Sequence, residues 1–281
     1  MKQVLLPRNL RDLWSLMAET PEATVFAGGT DLFVRVRTGQ AAPLALIGLE
    51  KITEFQGVRE EDDHLWIGAA TTHGRLLNDP RIRRHLPVLA KALERLGSPA
   101  IRNMGTLGGN ICTASPAGDT LPPLTVLEAE LELCSGNAGR VVPLRAFITG
   151  PGQTRLRKGE ILTGIRIRKP AAYNIHHFEK IGQRKALACA VASLAALIRT
   201  SPEGIIEAVR LAWGSVGPTV VTSPAVEEML VGERFSPSVW EKAALLARQA
   251  VSPIDDIRAT ADYRRLVSGN LLLRLTALHP D

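Results

Sequence analysis

Glycines crowd one short part of this chain. The stretch RNMGTLGGNICTASPAGD, residues 102–119, contains four of them, with small polar residues and hardly a charge between. Because glycine has no Cβ and adopts positive φ readily, clustered glycines let backbone N–H groups converge and let a ligand approach the main chain. Converging N–H groups bind anions, above all phosphates. The stretch therefore predicts a loop that either turns tightly or receives a phosphate-bearing ligand.

A second segment, residues 27–31 (AGGTD), has the same small-residue chemistry as residues 106–110 (TLGGN). Neither fits the GxxxxGK[ST] pattern of a P-loop or the GxGxxG spacing of a Rossmann helix. Asp119 could accept a hydrogen bond from a ribose hydroxyl or an amine, as carboxylates do in other nucleotide-binding folds. One Gly-Gly pair is more often a tight turn than a site. Two such segments favour a pyrophosphate held between two lobes.

Composition narrows the function classes. The chain has 281 residues, enough for two domains, and its 45% hydrophobic and 22% charged residues are typical of a globular protein. The net charge is +6, but the basic residues are dispersed and only 4% of residues are aromatic. We therefore expect a solvated surface or a docking face for an acidic partner, and no nucleic acid. Cys112, Cys134 and Cys189 form no CxxC pair, so we expect no disulfide framework and no metal site.

The sequence also bears on the compartment. The run ALACAVASLAALI, residues 186–198, is shorter than the roughly 18 apolar residues that indicate a membrane span. Pro7 and Arg8 interrupt the N-terminal residues before the apolar core of a signal peptide could develop. We therefore expect a cytoplasmic protein with no membrane span.

Apolar spacing predicts helices and strands in both halves of the chain. In the first 170 residues it predicts a helix after Asn9, strands at residues 24–27 and 65–67, a helix ending at Gly97, and a hairpin turning at residues 135–137. Beyond Pro170 it predicts strands at residues 187–198 and 205–213, then helices near residues 239–251 and 263–275. Strands followed by helices favour segregated layers. We therefore expect a separate α+β domain from about residue 171.

Six motifs, in this order and spacing, resemble those of one family. They are AGGTDL (27–32), IGAATTH (67–73), IRNMGTLGGNICTASPAGDTLPPL (101–124), GEILTGIRI (159–167), FEKIGQRKALACA (178–190) and ATADYRRLV (259–267). Together they resemble the FAD-binding medium subunit of the molybdenum hydroxylases, the family of xanthine dehydrogenase and carbon monoxide dehydrogenase. The likeness spans nearly the whole chain.

The resemblance implies an α+β fold of two domains. Residues 1–170 would form a two-lobed FAD-binding domain of the vanillyl-alcohol-oxidase (PCMH) type, with the lobes dividing near residue 55 and FAD extended between them. Residues 171–281 would form a smaller α+β domain of the CO dehydrogenase flavoprotein type.

The resemblance also implies the FAD-binding residues. Residues 25–32 would wrap the pyrophosphate with backbone amides. The second phosphate and the ribityl chain would contact Thr106, Gly108, Gly109 and Asn110. Asp119 would lie on the adenosine side, Leu162 against the flavin or adenine, and Lys180 would be a basic contact. Leu96 is a weaker candidate. The full set is Val25, Phe26, Ala27, Gly28, Gly29, Thr30, Asp31, Leu32, Thr106, Gly108, Gly109, Asn110, Asp119, Leu162 and Lys180.

A member of this family is one part of a larger enzyme. The resemblance implies a molybdopterin-binding large subunit and a [2Fe-2S] small subunit as partners, with electrons passing through FAD to NAD⁺, oxygen or another acceptor. One family branch carries a [4Fe-4S] cluster in an insertion after the second glycine segment. Here the residues between Asn110 and Asp119 include Cys112 as the only cysteine, so we expect no such cluster. We assign no catalytic residue, and we interpret His73 as a polar loop histidine.

Two other functions stay open at this stage. A self-sufficient FAD-dependent dehydrogenase or oxidase would need its own catalytic base and substrate pocket, which the motifs do not show. A non-catalytic nucleotide-binding or assembly module is supported only by the small-residue segments.

Overall fold

The computed structural model describes residues 3–136, 138–170 and 173–278. Asn137, in the predicted hairpin turn, and residues 171–172, at the predicted domain boundary, lie outside the described residues. Helices and strands are mixed along the chain, which confirms the predicted α+β class.

The first part of the chain builds a small parallel sheet. Its elements are β1 Gln3–Leu5, α1 Leu10–Glu19, β2 Thr24–Phe26, α2 Leu32–Arg37 and β3 Ala45–Gly48. The strand order is β1-β3-β2, and both pairs are parallel. Asn9 caps α1 by accepting a hydrogen bond from the Asp12 amide at 2.9 Å, and Leu13 of α1 is fully buried. A capped helix with one apolar face therefore covers this sheet, and the helix after Asn9 is confirmed.

The second sheet has five antiparallel strands and a group of short helices. In chain order the elements are β4 Val58–Glu60, β5 His64–Gly68, α3 His73–Asn78, α4 Pro80–His85, α5 Pro87–Arg95, α6 Pro99–Met104, α7 Leu107–Thr113, α8 Leu121–Val126, β6 Glu130–Ser135, β7 Ala138–Pro143, α9 Leu144–Phe147, β8 Ile148–Gly150, β9 Gln153–Thr154 and β10 Ile161–Arg168. The sheet order is β4-β5-β10-β6-β7, with β8 and β9 paired separately. Proline at the start of α4, α5 and α6 explains why the helices are short and follow one another closely.

The last part of the chain is a three-stranded antiparallel sheet followed by three helices. The elements are β11 Ile175–Ile181, β12 Ala192–Thr200, β13 Ile206–Gly214, α10 Pro224–Leu230, α11 Pro237–Ala250 and α12 Ala261–Leu273. Strands β11 and β13 flank β12. The strand-then-helix order matches the prediction, and β11 is an additional strand that the apolar pattern did not predict.

Strand β12 is buried on both faces. Leu194, Ala196 and Ile198 pack with the C-terminal helices, whereas Ala195 and Leu197 join the core of the second sheet. Two-sided burial explains the continuous apolar run in this part of the sequence. The predicted strand at residues 187–198 is wrong at its start, because β12 begins at Ala192. Leu187 has φ of 55° and is exposed, so the chain forms a loop there.

Candidate functional site

The two glycine segments lie against each other. Gly28 is so close to the carbonyl oxygen of Met104 that a Cβ on Gly28 would overlap it. A Cβ on Gly105 would lie 3.2 Å from Thr30 Oγ1. The missing side chains therefore allow main chain to meet main chain where the first and second sheets adjoin.

The first segment carries unused backbone donors. Within the described residues, no acceptor is bonded to any of the five successive amides from Gly28 to Leu32. Gly29 has φ of +68°, which bends the chain between β2 and α2. Asp31 is exposed, and its side chain does not cap α2. Successive free N–H groups in a bend form a concavity that suits a phosphate.

The second segment is built differently from the prediction. Residues 106–110 were expected to be a loop, but Leu107–Thr113 is helix α7 with Thr106 as its N-cap. The Leu107 amide donates to Thr71 O at 3.1 Å, and the Gly108 amide donates to Ala69 O at 2.9 Å. These donors already serve the protein, so this segment offers its side chains and the exposed main chain at Gly109, not a second set of free amides.

A buried ion pair joins the second sheet's helices to the C-terminal sheet. Lys180 Nζ, on β11, lies 2.6 Å from Asp119 Oδ2, and both side chains are less than a tenth exposed. Lys180 also donates to Arg95 O at 2.8 Å and to Ala188 O at 3.1 Å. Three acceptors satisfy the ammonium, which makes its burial tolerable.

Asp119 keeps one oxygen free. Its Oδ1 is buried and has no hydrogen-bond partner among the residues described. Burial raises the pKa of Asp119 to about 6, and the neighbouring Lys180 ammonium acts in the opposite direction. A buried acceptor without a donor is costly. This oxygen can therefore accept a hydrogen bond from an O–H or N–H group.

Two cavities border these features. A cleft of about 1150 Å³ is lined by Ala27 and Gly28 on one side and by Thr71, Thr72 and Thr106 on the other. A hollow of about 280 Å³ lies at Lys180 and is lined also by Gly97, Arg102, Leu187 and other residues of the 182–188 loop. The cleft thus borders both glycine segments and the hollow borders Lys180, whereas Asp119 lines neither cavity.

The comparisons with known proteins match both parts of the chain. Residues 1–170 match the family described as FAD binding domain in molybdopterin dehydrogenase, and residues 177–277 match the CO dehydrogenase flavoprotein C-terminal domain. The chain belongs to this molybdopterin dehydrogenase FAD-binding family. The resemblance of the six motifs is thereby confirmed, and the protein is an FAD-binding oxidoreductase subunit.

Individual relatives agree along nearly their full length. The nicotinate dehydrogenase FAD-subunit of Eubacterium barkeri is 31% identical over 264 residues, which cover 92% of this chain and 89% of that protein. The carbon monoxide dehydrogenase medium chain of Hydrogenophaga pseudoflava is 31% identical over 95% of this chain and 93% of its own. The solved carbon monoxide dehydrogenase from Hydrogenophaga pseudoflava superposes with a TM-score of 0.92 at 31% identity, covering 97% of this chain and 95% of that one. Quinoline 2-oxidoreductase from Pseudomonas putida 86 gives 0.94 at 27% identity, covering 99% and 96%.

The residues of this family member fit an FAD molecule. The free amides of residues 28–32 suit a diphosphate, and the unpartnered Asp119 Oδ1 suits a hydroxyl or ring N–H. Val25 and Phe26 lie on β2, just before these amides. Asn110 accepts a hydrogen bond from Thr120 Oγ1 at 2.6 Å, which fixes its side chain next to Gly109. Leu162 lies on β10 opposite Leu133 in the hydrophobic core and does not line either cavity.

Sequence reasoning missed several residues of the site. Thr71, Thr72 and Arg75 line the cleft, and Thr72 pairs with Thr106 through an isolated β-bridge. The IGAATTH motif contained this signal, but the spacing alone did not show that it meets the second glycine segment. The described part of the chain contains no group of three or more His, Cys, Asp or Glu that could hold a metal ion. None of its helices combines the length and apolarity needed to cross a membrane.

His73 differs from its interpretation as a polar loop residue. It begins helix α3, its amide donates to Gly105 O at 2.9 Å, and its side chain is buried with Nδ1 unpartnered in the described structure. Burial lowers the pKa of His73 to about 4, and the Arg102 charge acts in the same direction. The ring is therefore neutral in the folded chain near pH 7, and it packs behind Gly105.

This burial predicts an acid-sensitive fold. The folded pKa lies below the unfolded one, so the stabilising contribution is complete above pH 6.5 and is lost as the pH falls towards 4. Between pH 7 and pH 4.5, the free energy of unfolding of the wild type should fall by roughly 2 kcal/mol more than that of His73→Gln. Asp119 titrates in both proteins, so the difference isolates His73. Urea titrations of the FAD-free chain measure it, and parallel pH profiles would contradict the assignment.

Proposed function

We propose that this chain is the electron-transfer subunit of a multi-subunit molybdenum hydroxylase. It would accept electrons from [2Fe-2S] clusters of a small subunit and pass them to a final acceptor. The single observation that supports this most is the set of five free amides at residues 28–32, packed against the second glycine segment in a member of an FAD-binding family.

The chain's own residues would bind and orient the cofactor. The amides of residues 28–32 donate to the diphosphate, and Thr106 and Asn110 offer neutral side chains beside it. Asp119 Oδ1, which has no partner in the described structure, would accept a hydrogen bond from the ligand, and Lys180 holds that carboxylate in place. Bound FAD supplies the redox chemistry, because a flavin can take electrons singly and release them as a pair. The protein contributes position, electrostatics and access.

The relatives support the assembly. Several carry names such as carbon monoxide dehydrogenase medium chain and nicotine 6-hydroxylase medium subunit. We infer that this chain likewise joins a molybdopterin-binding large subunit and a [2Fe-2S] small subunit. Affinity purification from the native cell, followed by metal analysis, is expected to recover both, with molybdenum and iron. Turnover of a small substrate by the isolated FAD-loaded chain would instead favour a self-sufficient dehydrogenase or oxidase.

We also infer a cytoplasmic location. Cys112, Cys134 and Cys189 are free thiols, and Cys189 is exposed. Exposed unpaired thiols are typical of a reducing compartment. Cell fractionation with detection of the chain tests this inference.

Reconstitution tests the proposed cofactor. The full chain is mixed with FAD or with riboflavin, and the bound flavin is measured by its visible spectrum after gel filtration. Because riboflavin lacks the diphosphate that the amides of residues 28–32 would bind, its Kd is expected to be at least about 100-fold higher. Equal affinities would overturn the proposed diphosphate site, and no flavin bound at all would favour a non-catalytic module.

Substitution of Gly109 and of Gly108 by valine should prevent FAD binding for different reasons. A Cβ on Gly109, which is exposed, would have only Thr106 Oγ1 within 4 Å in the described structure, at 2.9 Å. Gly109→Val must displace this hydroxyl, which caps α7, so its free energy of unfolding is expected to fall by about 1 kcal/mol. It should lose FAD, because the side chain would occupy the ligand's approach to the backbone. Gly108→Val should fail for a different reason, since its Cβ would meet Ala69 Cβ at 2.6 Å.

The control for Gly109→Val is Gly139→Val. Gly139 is an exposed strand residue whose Cβ would meet only Leu133 O, at 3.6 Å, among the described atoms. This variant should retain FAD in a stoichiometric ratio. FAD content of Gly109→Val equal to that of the control would show that the ligand does not pass this helix end.

The charge of the surface around the Lys180 hollow indicates what kind of final electron acceptor the protein uses. Arg95 and Lys185 line it, are exposed, and make no side-chain hydrogen bond or ion pair within the described residues. Their free charges favour an anionic acceptor, and we infer one that carries phosphate, such as NAD⁺. Rates of electron removal from the reduced holoprotein by ferricyanide and by a neutral quinone test the charge preference.

Neutralising both cations should separate the two oxidants. At low salt, Arg95→Gln with Lys185→Gln is expected to slow ferricyanide about fivefold and to change the quinone rate by less than about twofold, with the effect shrinking as salt is added. The matched control neutralises Arg234 and Lys242, which are exposed in the C-terminal part. Equal slowing in the control would show a general charge effect and remove the argument for an anionic acceptor.

A further inference from the structure

One side chain of the ATADYRRLV motif has no part in the site described so far. Arg264, on α12, is only 3% exposed. Its Nη1 donates to Val191 O at 3.0 Å and to Ser215 O at 2.9 Å, and its Nη2 donates to Asp256 Oδ1 at 2.6 Å. A guanidinium is rarely buried so deeply unless it joins groups in a fixed geometry. Arg264 therefore links three separate segments of the chain.

Two of these segments bond to the parts of the chain that carry the members of the buried ion pair. Val191 ends the loop that follows β11, and its amide closes that loop by donating to Ile181 O at 2.8 Å. The same loop supplies Ala188 O, to which the Lys180 ammonium donates. A displacement of Val191 would therefore change the position of an acceptor that holds Lys180.

The other carbonyl belongs to the segment behind Asp119. The Ser215 amide donates to Pro116 O at 2.9 Å, and Pro116 lies three residues before Asp119. Ser215 has φ of 65°, an unusual conformation for a residue with a side chain, so the backbone there needs support from its neighbours. Arg264 supplies that support through the Ser215 carbonyl.

Asp256 fixes the guanidinium from the third side. The same Asp256 Oδ1 accepts from the Arg258 amide at 2.8 Å, so this carboxylate also shapes its own loop. Gln183 Nε2, in the loop after Lys180, donates to Arg258 O at 3.1 Å. Arg264, Asp256 and Gln183 thus form a connected polar network that ends at the Lys180 loop.

We propose that Arg264 is a positioning residue for FAD binding, which acts by holding the Lys180 and Asp119 segments at their mutual distance. The proposal rests on the proposed function, in which this ion pair contacts FAD. Arg264 itself lines neither cavity, so its effect on the cofactor passes through the pair. A purely structural arginine would instead lower stability without being coupled to Asp119.

A double-mutant cycle on the full-length chain separates these roles. The Kd for FAD is measured by quenching of flavin fluorescence for wild type, Arg264→Lys, Asp119→Asn and the double variant, with thermal unfolding followed in parallel. We expect each single change to raise the Kd about tenfold, and the double variant to stay within about twofold of Asp119→Asn, because the two residues act as one unit. The control is Arg248→Lys on α11, whose Nη2 donates to Asn270 Oδ1. It should leave the Kd within about twofold of wild type.

The outcomes are distinguishable. An additive double variant, or an unchanged Kd for Arg264→Lys, would overturn the positioning role and leave the proposed function intact. An unchanged Kd for Asp119→Asn would overturn the use of the pair in FAD binding, and this inference with it. If Arg264→Lys does not fold, Asp256→Asn replaces it, since the Asp256 side chain is 24% exposed. That variant is expected to raise the Kd about threefold or more, an effect that should vanish in the Asp119→Asn background.

Discussion

Replacing Lys180 by methionine is expected to lower the free energy of unfolding of the FAD-free chain by roughly 3 kcal/mol and to abolish FAD retention. The change leaves the Asp119 carboxylate buried without its ammonium partner, and leaves Arg95 O and Ala188 O without their donor. Urea titration at pH 8 and the visible spectrum of the purified chain measure the two effects.

The pH dependence of this variant follows from the same pair. In the wild-type chain the Lys180 ammonium lowers the pKa of Asp119 against the larger effect of burial. Its removal raises that pKa further, so Asp119 is protonated in the folded variant at a pH where it is ionised in the unfolded chain. Stability then rises as the pH falls. The destabilisation by Lys180→Met should therefore be smaller at pH 5 than at pH 8.

A second substitution separates stability from binding. Adding Asp119→Asn to Lys180→Met removes the buried charge, so the double variant should recover most of the lost stability and still fail to retain FAD. The exposed pair of Lys158 and Glu22 is the control, and Lys158→Met should change neither stability nor FAD content measurably. A double variant that is no more stable than Lys180→Met would contradict the idea of an uncompensated charge. FAD retention by Lys180→Met would remove Lys180 from the site.

The regular elements with clear apolar spacing could be predicted from the sequence. Helix α1 with its Asn9 cap, helix α5 ending before Gly97, and strand β13 follow from local pattern alone. The local apolar pattern gave a wrong prediction where tertiary contacts decide the structure. Residues 187–198 form one apolar run, but only the part from Ala192 enters a sheet. The part before it is a loop, in which Ala188 O accepts a hydrogen bond from Lys180. Composition does not distinguish the two.

The second glycine segment is another case in which the local sequence predicted the wrong structure. Two adjacent glycines disfavour a helix by about 1 kcal/mol each relative to alanine, so the sequence predicts a loop at Gly108 and Gly109. The segment is nevertheless helical, and α7 packs on Ala69 so closely that a Cβ at Gly108 has no room. The glycine is thus required by packing, and a pattern of residue types cannot distinguish that requirement from a turn.

The buried ion pair could not be predicted without long-range information. Asp119 and Lys180 are 61 residues apart, and each alone is an ordinary polar residue in its motif. Only the family resemblance named both, and it did not state that they bond to each other. Their contact comes from the docking of β11 against α5 and of α8 against β12 and β13, a tertiary event that short motifs do not encode.

The close approach of the two glycine segments predicts a large effect of a substitution at Gly28. Gly28→Ala is expected to abolish FAD retention and to lower the free energy of unfolding by roughly 1–3 kcal/mol. The added Cβ would overlap the Met104 carbonyl, which is main chain and cannot rotate away as a flexible side chain can. The segments must separate, and the amides of residues 28–32 then lose their position relative to Thr106. Visible spectra and urea titrations measure both effects.

Gly139→Ala is the matched control for Gly28→Ala. Both glycines lack positive φ, so neither substitution is opposed by backbone conformation. A Cβ at Gly139 would make an ordinary contact with Leu133 O, whereas one at Gly28 would overlap main chain. If Gly28→Ala binds FAD as tightly as Gly139→Ala does, the two segments can separate without consequence, and the diphosphate is not held where they meet. Loss of FAD with unchanged stability would mean that the loop moves freely but the ligand needs its position. The expected loss of both means that one contact, main chain against main chain, serves the fold and the cofactor together.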